Sequence, residues 1–96
     1  MLETLTCADF LPALNQRFEL RGNSSVKEVV LITAEPLSTN GPVPRPPFHL
    51  VFRGPQAPLL DQRIHAVSHP ALGALEIFLV PIGPNGEGQC YEAVFG

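Results

Sequence analysis

The segment LEIFLVPIGPNGEGQCYEAVF, Leu75 to Phe95, decides the fold because it holds two apolar runs around a glycine-rich centre. The second run, Gln89 to Phe95, alternates in the way that a strand does, and the first, Leu75 to Ile82, is of strand length. Asn85-Gly86 between them is among the strongest hairpin dipeptides, since both residues tolerate positive φ. The segment therefore predicts a β-hairpin. Its core-facing side chains are predicted to be Leu75, Ile77, Leu79, Tyr91, Ala93 and Phe95.

The glycine-rich centre GPNGEG also invites comparison with loops that cradle phosphate. Such loops need a following helix, whose N-terminus holds the anion, and a P-loop needs a lysine as well. A strand pattern follows here, and Glu87 would repel a phosphate. Pro81, inside the first run, points to an edge or a β-bulge close to the turn. We expect a hairpin turn rather than a ligand-binding loop.

Further strands are predicted upstream, at intervals of roughly ten residues with turn residues between them. A short helix precedes them, started by Thr6 and Asp9 and docked on the core by Leu5 and Phe10. The predicted strands are Arg17 to Arg21, Val26 to Ala34, Phe48 to Arg53, Gln62 to His69, Leu75 to Ile82 and Gln89 to Phe95. Residues 1–96 are therefore expected to form a single mainly β domain: a small antiparallel six-stranded meander barrel or sandwich with one short N-terminal helix.

Composition excludes several functions. The 96 residues are 45% hydrophobic and 16% charged, with a formal net charge of -3, so the chain is too apolar to be disordered. Its six Lys and Arg residues are scattered singly, which disfavours nucleic-acid binding. No apolar run approaches the ~20 residues of a membrane helix. The N-terminus has no classical signal peptide, which predicts synthesis in the cytoplasm and leaves the final location open.

The two cysteines, Cys7 and Cys90, lie at opposite ends of the chain. They would close a long stabilising loop if the termini meet, whereas a cytosolic setting favours two reduced thiols. No CxxC or Cys/His ligand spacing occurs, and no metal or other cofactor is predicted.

Three histidines and an arginine are the candidate ligand-binding residues. His65 and His69 are four apart, which would align them on a helix but separates them by about 13 Å on a strand, at ~3.3 Å per residue. A ligand site or an enzyme active site would require His49, Arg53, His65 and His69 to converge at the barrel mouth. No nucleophile motif accompanies them, which argues against catalysis without settling it.

Two segments are candidate partner contacts. Pro44, Arg45 and Pro46 belong to a P-x-x-P sequence of the kind that aromatic grooves recognise, although a stiff crossover between strands explains the same prolines. The hairpin tip at Asn85 and Gly86 is the second candidate. The low charge also makes a homo-oligomer a reasonable expectation.

Several short motifs together give a family resemblance. They are RPPFHLVFRGP from Arg45, HPALG from His69, FLVPIGP from Phe78 and YEAVF from Tyr91. The chain from Phe10 to Phe95 resembles a family of short bacterial proteins of unknown function, and departs from it at Gly96, where an asparagine is usual. Members of that family often accompany phage-tail-collar-like proteins, but they carry no assigned activity or catalytic residues.

These observations predict an interaction module without catalytic function. The partner is expected to be a protein, and the resemblance implies a phage-tail-like or surface fibre protein. A small-molecule-binding barrel or enzyme using the histidines and Arg53 is the alternative.

Overall fold

The strands of the computed structural model close into one antiparallel barrel. The structure describes residues 5–21, 26–37, 47–55, 62–86 and 88–95. A short α-helix, α1 (Cys7–Phe10), and a 3-10 turn (Leu11–Ala13) precede the strands. The strands are β1 (Arg17–Arg21), β2 (Val26–Pro36), β3 (Phe48–Gly54), β4 (Arg63–His69), β5 (Gly73–Asn85) and β6 (Gly88–Phe95). The predicted six-stranded antiparallel barrel with a short N-terminal helix is confirmed.

The order of strands around the barrel is β1-β2-β3-β6-β5-β4. Two three-stranded meanders therefore face each other, and the pairs β3–β6 and β1–β4 join them. A single meander would instead place β3 beside β4. Short turns in a sequence identify only strands that follow one another, so they do not reveal these two long-range pairings.

Helix α1 covers one end of the barrel. The carboxylate of Asp9 accepts a hydrogen bond from the Thr6 backbone N–H at 2.7 Å, which caps the first turn. Phe10 is fully buried, and its ring centroid lies 5.9 Å from that of Phe48 and 6.0 Å from that of Phe95. Those two rings stack on each other at 4.7 Å. The predicted docking of the helix on the core is thus observed.

The inward-facing side chains of all six strands form one continuous core. It is built mainly from aromatic and branched residues, which fill the space between facing strands. The largest fully buried side chains are Tyr91, Phe10, Phe18, Phe48, Phe52, Leu20, Leu31, Leu50, Ile77, Leu79, Val29 and Val67.

The β5–β6 hairpin contains the bulge that Pro81 predicts. Its register shifts between Pro81 and Gly83, and Gly83 adopts a φ of 107°. The ladder closes at Asn85↔Gly88, so the turn lies one residue later than the Asn85-Gly86 dipeptide suggests. Gly86, with a φ of 67°, supplies the left-handed conformation that this turn requires.

Candidate interaction surface

The structure divides the four predicted ligand residues between two faces of the barrel. His65 and His69 lie on the buried, inward face of β4, with 3% and 8% of their surface exposed. His49 and Arg53 alternate with the buried phenylalanines of β3 and lie on its outer face. The four side chains therefore do not converge on one site.

His69 is held by contacts within the fold. Its Nε2 lies 2.7 Å from Oε1 of Gln16, and its Nδ1 accepts a hydrogen bond from the Ala71 backbone N–H at 3.1 Å. Because a carbonyl oxygen only accepts, Nε2 carries the ring proton. The ring also packs against Phe18, with 4.7 Å between centroids. Both nitrogens are thus used in fixing the β4–β5 turn to the start of β1.

A groove of about 470 Å³ lies beside His69, between β1, β2 and the β4–β5 turn. Its walls include Arg17 and Glu28, which face each other at 3.8 Å with side chains 76% and 60% exposed. An ion pair this exposed is largely screened by water. The groove therefore offers mixed, solvated charges rather than one desolvated polar site.

His49 joins three strands on the outer face. Its Nδ1 lies 2.9 Å from a carboxylate oxygen of Glu92 on β6, and its Nε2 lies 3.6 Å from one of Glu35 on β2. Glu35 is directly opposite His49 in the β2–β3 register, whereas Glu92 is opposite Val51, one position away along the same face. The Nδ1 contact is a hydrogen bond; the Nε2 separation is too long to be one.

Cys7 lies near this group, on α1. Burial and the negative charge of Glu35 both raise the pKa of the Cys7 thiol above its ordinary value. A thiol so disposed keeps its proton and is a weak nucleophile. Cys90 is buried, and both thiols are free. Within the described ranges, no group of three or more His, Cys, Asp or Glu residues is arranged to hold a metal ion.

The structure describes the hairpin tip but not the proline-rich segment, the two predicted partner contacts. Pro44, Arg45 and Pro46 lie outside the described residues. At the hairpin tip, Gly86 is exposed, and β5 and β6 meet there at Asn85↔Gly88. The tip is thus available to a partner, and the prediction of a contact there stays a prediction.

Three exposed apolar side chains form a feature that the sequence did not single out. We call Ile64, Phe78 and Val94 the apolar row; they are 59%, 49% and 63% exposed. Ile64 and Phe78 are directly opposite each other in the β4–β5 register. Counting two residues back along β5 and two forward along β6 from the Val80↔Glu92 pair places Phe78 level with Val94. The row therefore runs across the outer face of β4, β5 and β6.

A groove of about 260 Å³ opens along this row. The β5–β6 ladder ends at Val80↔Glu92, although β5 continues along β4 and β6 continues along β3. The groove lies between these continuing segments. Its walls include the buried residues Ile77 and Ala93, so the cleft reaches between the strands rather than lying on top of them.

Acidic side chains border the apolar row. Glu76 precedes Phe78 by two residues on β5 and is exposed, and Glu92 precedes Val94 by two residues on β6. The line of the row continues onto β3 at His49, which is opposite Val94, and onto β2 at Glu35, which is opposite His49. Arg63 is the nearest cation in sequence, but strand alternation puts it on the side of β4 that carries His65. The outward positions next to the row on β5 and β6 are thus acidic, while Arg53 lies on the outer face of β3, two outward positions from His49.

Alternation on β5 and β6 could have identified two members of the apolar row, Phe78 and Val94. The predicted inward positions Leu75, Ile77 and Leu79 are all buried, which leaves Phe78 outside. The same alternation on β6 leaves Val94 outside. The signal is the presence of apolar residues on both faces of the segment, of which the core accounts for only one.

Across the part of the chain that the structure describes, no helix has both the length and the apolar character to cross a membrane.

The comparisons with known proteins agree with the family resemblance at its coarser level. A family model described as a domain of unknown function, DUF6916, matches residues 5–95. Comparison with the curated proteins finds no match, and comparison with the solved structures finds none either. The match covers nearly the whole chain, and so the chain belongs to the DUF6916 family of domains of unknown function.

Proposed function

We propose that this protein is a non-catalytic interaction or assembly module, and that the apolar row is its contact surface. The observation that carries the proposal is the alignment of Ile64, Phe78 and Val94 across three neighbouring strands, each about half exposed or more. Single exposed apolar residues are common on protein surfaces, but adjacent ones that border a groove are typical of binding sites.

The interior supports an interaction role over ligand binding. Inward positions on the strands are occupied by packed aromatic and aliphatic side chains, which contribute to folding. The inward-facing His69 uses both ring nitrogens in contacts within the fold. The outward-facing His49 is paired with Glu92. These polar groups stabilise the barrel, and the two histidines lie on opposite faces of its wall.

The family resemblance supplies the class of partner. That resemblance implies that such proteins often accompany phage-tail-collar-like proteins, so the partner that we propose is a phage-tail-like or surface fibre protein. A second copy of this chain is the competing occupant of the same surface, because an apolar row of this kind also suits a homo-oligomer.

Affinity capture with matched variants tests the proposal. The baits are the wild type, the double variant Phe78→Ser/Val94→Ser, and Leu11→Ser. Leu11 is 47% exposed on the 3-10 turn, so its replacement removes an apolar side chain of similar exposure away from the row. We expect wild type and Leu11→Ser to retain the same protein, and the double variant to lose it. Light scattering on each variant identifies a second copy as the partner if only the double variant is monomeric.

Equal capture by all three baits would overturn the proposal. So would the absence of both a captured protein and self-association in the wild type. Circular dichroism and thermal unfolding of each bait ensure that a lost partner reflects the surface and not a loss of folding.

A further inference from the structure

The acidic residues beside the apolar row are spaced in a way that specifies a ligand. Glu76 lies one outward-facing position from Phe78 on β5, and Glu92 lies one outward-facing position from Val94 on β6. The two strands run in opposite directions. Glu76 and Glu92 therefore lie on opposite sides of a line drawn through Phe78 and Val94. The groove therefore has an apolar middle and Glu76 in its lining at one end, and Glu92 lies on β6 just beyond its other end, at the Val80↔Glu92 pair.

We propose that this groove binds an extended segment of the partner that carries the pattern basic–any–apolar–any–basic. The proposal rests on the proposed function and names the chemistry of the partner. The apolar side chain enters the groove between Phe78 and Val94, and the two Lys or Arg side chains pair with Glu76 and Glu92.

Strand geometry fixes the spacing. Each carboxylate is two residues from the row, which is about 7 Å at the ~3.3 Å rise of a strand. An extended peptide lying along the groove places its side chains i, i+2 and i+4 on one face at the same rise. A helix would place the apolar side chain at i+2 on the face opposite the two basic ones at i and i+4, so the occupant is extended.

The charges favour a basic segment. Glu76 is exposed, and the Glu92 side chain is 34% exposed while one of its oxygens is engaged by His49. Glu35, at the His49 end of the row, adds to the negative field, and Arg63 points away from the outer face. Exposed pairs are individually weak, so we expect each to contribute about two- to five-fold in affinity, and the apolar side chain to contribute more.

The test uses short blocked peptides titrated into the full chain and followed by amide chemical shifts. The probe contains Lys-Thr-Phe-Thr-Lys between Gly-Ser ends. A permuted peptide with Lys-Lys-Phe-Thr-Thr has the same composition and charge, and a third peptide carries Glu-Thr-Phe-Thr-Glu. We expect the first peptide to shift the amides of residues 76–78 and 92–94, and to bind about five-fold more tightly than the permuted one. The acidic peptide should bind at least ten-fold more weakly.

Charge exchange provides the matched control. Glu76→Lys should weaken the Lys-Thr-Phe-Thr-Lys peptide and strengthen a Glu-Thr-Phe-Thr-Lys peptide. Glu19→Lys makes the same charge change on the exposed face of β1, across the barrel from β6, and should change neither affinity.

Two results would overturn the inference: no binding of the basic peptide, or equal binding of the ordered and permuted peptides. Either result leaves the proposed function standing if capture of a protein still depends on Phe78 and Val94. If capture does not depend on them, the proposed function fails as well.

Discussion

The two halves of the β5–β6 hairpin differ in how they use the same kind of sequence. In the half next to the turn, from Val80↔Glu92 to Asn85↔Gly88, the strands are paired and a bulge bends them. In the other half the ladder has ended, and a groove separates Phe78 from Val94. The open half buries alternate side chains of both strands, whereas the buried residues described in the closed half are all on β6. The closed half, we infer, serves folding, and the open half offers a surface to a partner.

Replacing Gly88 with alanine should disrupt the packing of the closed half against β3. A Cβ at Gly88 would collide with the carbonyl oxygen of Gly54 on β3, so the backbone of one strand must move. We expect a loss of about 3 kcal/mol in the free energy of unfolding, typical of severe overpacking. Urea denaturation measures it.

Gly73→Ala is the matched control in the open half. Gly73 has a φ of 81°, but a Cβ there meets nothing within 4 Å, so only conformational strain is added. We expect a loss of about 1 kcal/mol. A loss at Gly88 no greater than that at Gly73 would show that β3 and β6 are not packed as described.

The His49–Glu92 pair should contribute an intermediate stabilisation. Glu92→Gln weakens a part-buried hydrogen bond of 2.9 Å, and we expect a loss of about 1 kcal/mol in the free energy of unfolding. Glu35→Gln changes a 3.6 Å contact to a 68% exposed side chain and should cost less than about 0.5 kcal/mol. Thermal unfolding of both variants checks the ranking, and the reverse order would contradict the assigned geometry.

Serine at Phe78 or at Val94 should affect stability little. Both side chains are about half exposed or more, so we expect changes in unfolding free energy within about 0.5 kcal/mol for each. Serine at the neighbouring buried residue Ile77 should cost several times more, on the order of 3 kcal/mol. Similar losses at Phe78 and Ile77 would mean that the apolar row belongs to the core.

The smallest expected effect concerns Cys7. Burial and Glu35 raise the pKa of its thiol above 9.0, so the folded state holds this proton to higher pH than the unfolded state. The protonated Cys7 thiol therefore makes its full contribution to the free energy of unfolding below pH 9, and this contribution is lost as pH rises further. Cys7→Ser should flatten this alkaline decline in unfolding free energy. An unchanged decline would assign it to other groups.

Much of the fold follows from sequence because alternation and turn residues are local signals. The hairpin, the Pro81 bulge and the inward positions of β5 and β6 were all predictable in this way. The pairings β3–β6 and β1–β4 were not, since they join segments far apart in the chain. The contact between His49 and Glu92 depends on β3–β6, so no local pattern could have revealed it.

The candidate ligand residues illustrate the same limit. The inward positions of Phe48, Leu50 and Phe52 already imply that His49 faces out. The β4 sequence does not show which of its faces is inward, because its apolar residues Ile64 and Val67 lie on opposite faces of a strand. Only the core itself shows that His65 and His69 face in.

Hydrogen–deuterium exchange of the protein with its captured partner tests the central claim most directly. We predict that the partner slows amide exchange over residues 76–79 and 92–94, in the open half of the hairpin. Exchange at residues 85–86, at the tip of the closed half, should not change. Protection confined to the tip, or no protection in the open half, would contradict the assignment of the apolar row as the contact surface.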